Sequence, residues 1–136
     1  MAICQIREKV FYNMVVLTGR SVFARLLVGD TTYTGAINYG CLGTATPTIA
    51  DSDTQLGTEV FRKQVATKTR TNTTVNIDFY YSKADTNGTY NEFGMEIDGT
   101  ATANTGQLFN HVLTGGWTKS SSESMTVSAQ INNNNA

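Results

Sequence analysis

Val75-Asn76-Ile77-Asp78-Phe79-Tyr80-Tyr81-Ser82, then Asp85-Thr86-Asn87-Gly88, then Thr89-Tyr90-Asn91-Glu92-Phe93-Gly94-Met95-Glu96-Ile97: this stretch decides the fold class. Val75, Ile77, Phe79 and Tyr81 alternate with Asn76, Asp78, Tyr80 and Ser82. Phe93, Met95 and Ile97 alternate with Glu92, Gly94 and Glu96. Strict alternation is the period of a strand with one buried face. An Asn-Gly pair between two such runs is the strongest short-range signal for a hairpin. The stretch therefore predicts an antiparallel hairpin across Asp85–Gly88. Val75, Ile77, Phe79, Phe93, Met95 and Ile97 would face one core. Asp78, Glu92 and Glu96 would lie on its solvated faces.

Upstream lies a segment around which the chain is organised. It runs from Tyr39-Gly40-Cys41-Leu42-Gly43-Thr44-Ala45-Thr46-Pro47-Thr48 through Asp51-Ser52-Asp53-Thr54-Gln55-Leu56 to Glu59-Val60-Phe61-Arg62-Lys63. It reads as a strand end, a glycine-rich exit, a polar loop and a second strand. Gly40 and Gly43 suit backbone that turns sharply or passes close to another segment. Pro47 fixes its own φ and biases Thr46 toward extended backbone. Asp51, Ser52, Asp53 and Thr54 favour turns, because their side chains can bond nearby backbone. Leu56 is the one clear apolar anchor. A long connection pinned across a β core is the expectation.

The remaining segments fit the same class. Val10–Leu17 is apolar and β-branched, either a strand or a buried lead-in. In residues 19–28, Val22, Phe23, Leu26 and Leu27 share one helical face, which predicts a short helix. Thr31–Leu42 reads as a strand bent at Gly35. Glu59–Thr69 has an imperfect strand pattern, as expected of an edge or a bulge. Asp98–Gly106 reads as a flexible loop and Gln107–Leu113 as a strand broken by Gly115-Gly116-Trp117. Thr118–Ser124 follows as a polar connector, and Met125, Val127, Ala129 and Ile131 mark a last strand. The fold expected is mainly β: an antiparallel sandwich or barrel, jelly-roll-like, of about six to eight strands with one short N-terminal helix. Residues 1–17 form an arm or lead-in, 18–131 a single β domain and 132–136 an Asn-rich disordered tail.

Composition narrows the function. The 136 residues are 40% hydrophobic but only 15% charged, with net charge −1. Thr, Asn, Ser and Gly replace the missing charges. Nucleic-acid affinity rests largely on Lys and Arg neutralising phosphates, and no basic cluster larger than Arg62-Lys63 is present. No apolar run reaches the roughly 18 residues of a membrane span. The N-terminus lacks the apolar core of a signal peptide, which points to synthesis in a cytoplasm. There, Cys4 and Cys41 are expected as free thiols.

Residues with chemical potential are few. His111 is the only histidine, and no Gly-x-Ser-x-Gly elbow accompanies it, so a structural or interface role is expected. Two cysteines and one histidine at no zinc spacing give no zinc site. Asp51, Asp53 and Glu59 could offer oxygens to calcium, but capping of turns explains them. An EF-hand loop around Asp85 and Asn87 would place Lys83 and Gly94 at ligand positions, and it fails. Trp117 reads as a core or subunit-interface anchor. No catalytic, cofactor or metal residue is expected.

One resemblance covers nearly the whole chain, from about residue 18 to residue 131. Tyr39…Leu42-Gly43-Thr44, Pro47, Asp53-Thr54, Leu56 and Glu59-Val60…Arg62 resemble a motif of small tailed-bacteriophage virion proteins and of the N-terminal modules of phage tail-collar fibres. Asn87-Gly88-Thr89-Tyr90-Asn91-Glu92-Phe93-Gly94, Thr118-Lys119 and the Met125–Ile131 strand are similar to further parts of that pattern. The chain departs from it at Thr44-Ala45-Thr46, and no long fibre follows, which favours a stand-alone subunit. The resemblance implies a non-enzymatic structural protein of the virion, present in many copies and bound to major capsid or tail proteins. It would serve as a capsid decoration (cement) protein or a small head-to-tail or tail component. The alternative is an attachment or receptor-contact module of a tail appendage, with its ligand at loops 44–58 or 98–106 or near Trp117. Apolar residues of the N-terminal arm, Ile3, Ile6, Val10 and Phe11, together with Trp117, are the candidate interface.

Overall fold

The computed structural model describes residues 8–11 and 13–133. Its strands are β1 (Met14–Val15), β2 (Ile37–Gly43), β3 (Glu59–Gln64), β4 (Thr67–Thr71), β5 (Thr74–Tyr81), β6 (Gly88–Ile97), β7 (Gln107–Lys119) and β8 (Met125–Asn132). The helix α1 spans Leu17–Leu27. A five-stranded sheet in the order β1-β7-β6-β2-β3 packs against a three-stranded sheet in the order β4-β5-β8, and every pairing is antiparallel. The protein is a mainly β, two-layer antiparallel sandwich with one short helix near its N-terminus.

The alternation in β5 and β6 does what the sequence dictates for burial. Ile77, Phe79, Phe93, Met95 and Ile97 join one core cluster, and Val75 packs against it. The pairing, however, is not a hairpin. β5 pairs with β4 and β8, while β6 pairs with β2 and β7. The residues between them carry the chain from one layer to the other. A two-residue type I′ turn needs positive φ at both centres. Gly88 has φ 149°, and Asn87 is not among the positive-φ residues. Instead the Asp85 carboxylate accepts the Ser82 N–H (2.7 Å) and binds Lys63 Nζ (2.7 Å), fixing a wider crossing. Burial on both faces explains why β6 sits centrally: from Glu92 to Ile97 every residue is buried.

Other segments follow or refine the expectation. The imperfect Glu59–Thr69 run splits at Val65-Ala66 into β3 and β4, each the edge of a different sheet. Gly115 and Gly116 adopt φ of 70° and 93° without ending β7, so they bend a continuous strand that runs to Lys119. Phe11 packs in an edge-on contact with Trp117, with ring centroids 5.6 Å apart, and β1 pairs with β7. The lead-in therefore joins the domain before the helix begins. At the other end Asn132 closes β8 and the Asn133 N–H donates to Thr73 O (3.1 Å), so of the expected tail only 134–136 lie outside the described residues.

The helix brings the largest surprise. Of its four apolar positions only Val22 is buried; Phe23 (57% exposed), Leu26 and Leu27 (73% exposed) are not. The contact with β7 is made through Gly19, where a Cβ would fall 2.6 Å from Phe109 O. That close approach turns the apolar stripe partly outward.

Candidate functional site

The outer face of the five-stranded sheet carries the ionisable groups. The register aligns Arg62 with Cys41, Cys41 with Gly94 and Gly94 with His111. Glu92 sits opposite Gly43 and Glu96 opposite Tyr39. These carboxylates are not solvated, as the alternation alone implied: Glu92 is 0% and Glu96 1% exposed. The reason is the cover. Residues 44–58 and 98–106 lie over this face, and a second small apolar cluster of Val16, Tyr39, Cys41, Leu56 and Leu108 fills the space beneath them. Leu56 is the anchor its sequence position suggested.

Glu92 holds the first loop. Its carboxylate accepts the Thr58 N–H (2.7 Å) and the Gly57 N–H (2.9 Å), and Oε2 also meets His111 Nε2 (2.8 Å). The other ring nitrogen, Nδ1, lies 2.8 Å from Asp53 Oδ2, which also accepts the Ala50 N–H. Gly43 is required below: a Cβ there would come within 2.3 Å of Glu92 Oε1. The sequence thus places a glycine under the carboxylate that clasps the loop.

Arg62 holds the second loop. Its Nε and Nη2 donate to Glu59 Oε1 (2.6 Å) and Oε2 (2.9 Å), a bidentate fork. Its Nη1 donates to Thr100 O (2.8 Å) and Thr105 O (3.1 Å), while Glu59 Oε2 accepts the Asn104 N–H (3.0 Å). Asn38 completes the clasp by exchanging two hydrogen bonds with the Gly99 backbone. The loop expected to be flexible is tied down on three sides.

No protein-family model, curated protein or solved structure matches the chain. The geometry itself then decides what this layer can do.

His111 has both ring nitrogens against carboxylates, so neither faces a nucleophile. Two acceptors are both satisfied by an imidazolium, which has two N–H donors, or by a neutral ring if one carboxyl carries the proton. Asp51, Asp53 and Glu59 do not converge: they pair with Arg20 (2.6 Å), His111 and Arg62 respectively. A different grouping, invisible in the sequence, brings ligand atoms of Cys41, Glu59 and Glu96 within 4.8 Å of one another. That cluster already contains a cation, the Arg62 guanidinium, on both Glu59 oxygens. Burial, with the Glu59 carboxylate nearby, pushes the Cys41 thiol far above its usual range, so the sulfur stays a thiol.

Glu96 is the strained member. Burial, opposed by Arg62 and reinforced by Glu59, pushes its carboxyl up to about 8. Its Oε2 is buried with no hydrogen-bond partner. An unfolded Glu loses its proton above about pH 4.3, whereas the folded one keeps it until about pH 8. Stability from this group is therefore complete below the lower value, falls as pH rises between the two, and is flat above. By linkage the loss is about 3 kcal/mol at pH 7. Glu96→Gln is expected to be more stable than wild type by that order at pH 7 and equal to it near pH 4, as measured by urea denaturation at the two pH values. A variant no more stable at pH 7 would mean that Glu96 is ionised in the folded protein.

The candidate interface residues scatter. Ile3 and Ile6 lie outside the described residues. Val10 is 78% exposed, and Phe11 meets Trp117 edge-on, with Trp117 also 5.9 Å from Phe93. Sequence reasoning missed the outward face of α1, because its apolar stripe read as a buried one.

Proposed function

We propose that the protein is a non-enzymatic structural subunit of a bacteriophage virion, present in many copies and bound to capsid or tail proteins. It would act as a decoration (cement) protein or a small head-to-tail or tail component. The sequence resemblance supplies the virion setting. One observation carries the contact mode: among the described residues, seven of the ten large apolar side chains left exposed lie between Val10 and Val28 in sequence. Scattered apolar residues on a surface mean little, whereas a concentration of them marks a contact surface. The few charges of the chain fit such a role, because an unpaired charge buried by a neighbour is costly. The ionisable residues of the outer face also fit it, since they are spent on holding loops 44–58 and 98–106.

The test is the double change Leu27→Glu, Val28→Glu, at positions 73% and 83% exposed. The variant is expected to keep its circular dichroism spectrum and melting temperature. Its incorporation into particles, when co-produced with head and tail proteins, is expected to drop by about tenfold or more, as for loss of an interface hot spot. Undiminished incorporation would overturn this contact surface.

A further inference from the structure

At the end of the sandwich near α1 the two layers do not close. Helix α1 rests on β7 through Gly19, and this leaves a cleft of about 820 Å³ between the helix and the three-stranded sheet. Phe23, Phe109, Val75, Ile77 and Ile131 supply its apolar walls. A largely apolar cleft of this size has room for a small ligand.

The mouth has a definite charge. On edge strand β4, Lys68 pairs with Ile77 and Arg70 with Val75, so both cations lie on the side of the sheet that faces the cleft. Lys68 Nζ donates to Ile37 O (3.3 Å) and Arg70 Nη1 to Asn72 O (3.0 Å). Neither forms an ion pair among the described residues. Arg20, the third cation on the lining, is committed to Asp51. Among the described residues, no Asp or Glu lines the cleft. Inward-pointing charges on an edge strand also guard against unwanted strand pairing. That role alone gives no reason for an open apolar volume beside them. The arm of a second copy fits poorly, because Arg7-Glu8-Lys9-Val10 is net basic.

We propose that this cleft binds a single-chain anionic amphiphile, with the alkyl chain between α1 and the three-stranded sheet and the carboxylate on Lys68 and Arg70. The occupant is the free amphiphile, and the experiment separates it from a membrane surface that presents the same charge.

The full chain is titrated with dodecanoate below its critical micelle concentration, followed by calorimetry and methyl NMR. One-to-one binding with shifts at Val75, Ile77 and Ile131 is expected. The double variant Lys68→Gln, Arg70→Gln should weaken it by about tenfold or more, as expected for lost charge-assisted hydrogen bonds. Dodecyltrimethylammonium, with the same chain and the opposite head, should not compete. Leu27→Glu, Val28→Glu should leave dodecanoate binding unchanged, so the cleft and the assembly face fail separately. Absence of dodecanoate binding overturns the proposal, and so does equal binding of both head groups or indifference to the charge changes. Binding to phosphatidylglycerol vesicles without binding of free dodecanoate also overturns it, in favour of a membrane-surface patch.

Discussion

Replacing Glu92 by alanine is expected to destabilise the protein by about 3–5 kcal/mol, the range for breaking a buried charged network from one side. Three partners lose their acceptor at once: the Gly57 and Thr58 N–H groups and the His111 ring. The His111 ring, 2% exposed, cannot recover its lost partner from water, and the two N–H groups lose a charged acceptor that fixes the loop. His111 is then left against Asp53 alone. Glu92→Gln keeps the size of the side chain but turns an N–H₂ toward donors, so it should recover only part of the loss. Urea denaturation of the two variants checks the ranking. A loss below about 1 kcal/mol for the alanine variant would mean that Leu56, not the carboxylate, holds the loop.

Phe79→Ala should cost a similar amount, about 3–5 kcal/mol, for a different reason. Phe79 belongs to β5 in the small sheet and is 0% exposed. Its ring meets Phe93 of β6 in the large sheet, edge-on at 5.8 Å. It also lies directly over Gly40 of β2, where a Cβ would come within 2.6 Å of the ring. The side chain therefore joins the two layers across their centre, and removing it leaves a cavity that rigid strands on both sides cannot close. Thermal and urea denaturation measure the loss. A change under about 1 kcal/mol would place Phe79 outside the core.

These two residues show what was legible in the sequence. Phe79 was readable because alternation reports burial directly. Its partner strand was not, because burial on a common core is the same whether two strands are bonded in one sheet or stacked across two. Glu92 was misread for a related reason. Alternation tells which residues share a face but not what covers that face, and here two loops do. The loop itself was legible: Leu56, Pro47 and the Asp51–Thr54 run describe a pinned connection, and Gly43 leaves room for the carboxylate that pins it. Asp53, Leu56, Glu59, Arg62 and Glu92, all quoted in the resemblance, turn out to be clasp residues. The outward turn of α1 had only a faint signal, the Gly19 at which the helix meets β7. A helix with an apolar stripe is ordinarily placed with that stripe inward.

The central proposal is that the carboxylates and the histidine of the outer face hold its covering loops. Amide hydrogen exchange, followed residue by residue, tests it most directly. Gly57 and Thr58 lie in an exposed loop, and their N–H groups are bonded to a buried side chain. The expected result is slow exchange at both positions in the wild-type protein, lost in Glu92→Ala while the β5 amides stay protected. Fast exchange of Gly57 and Thr58 in the wild type would contradict it, because Glu92 would then be free to serve something other than the loop.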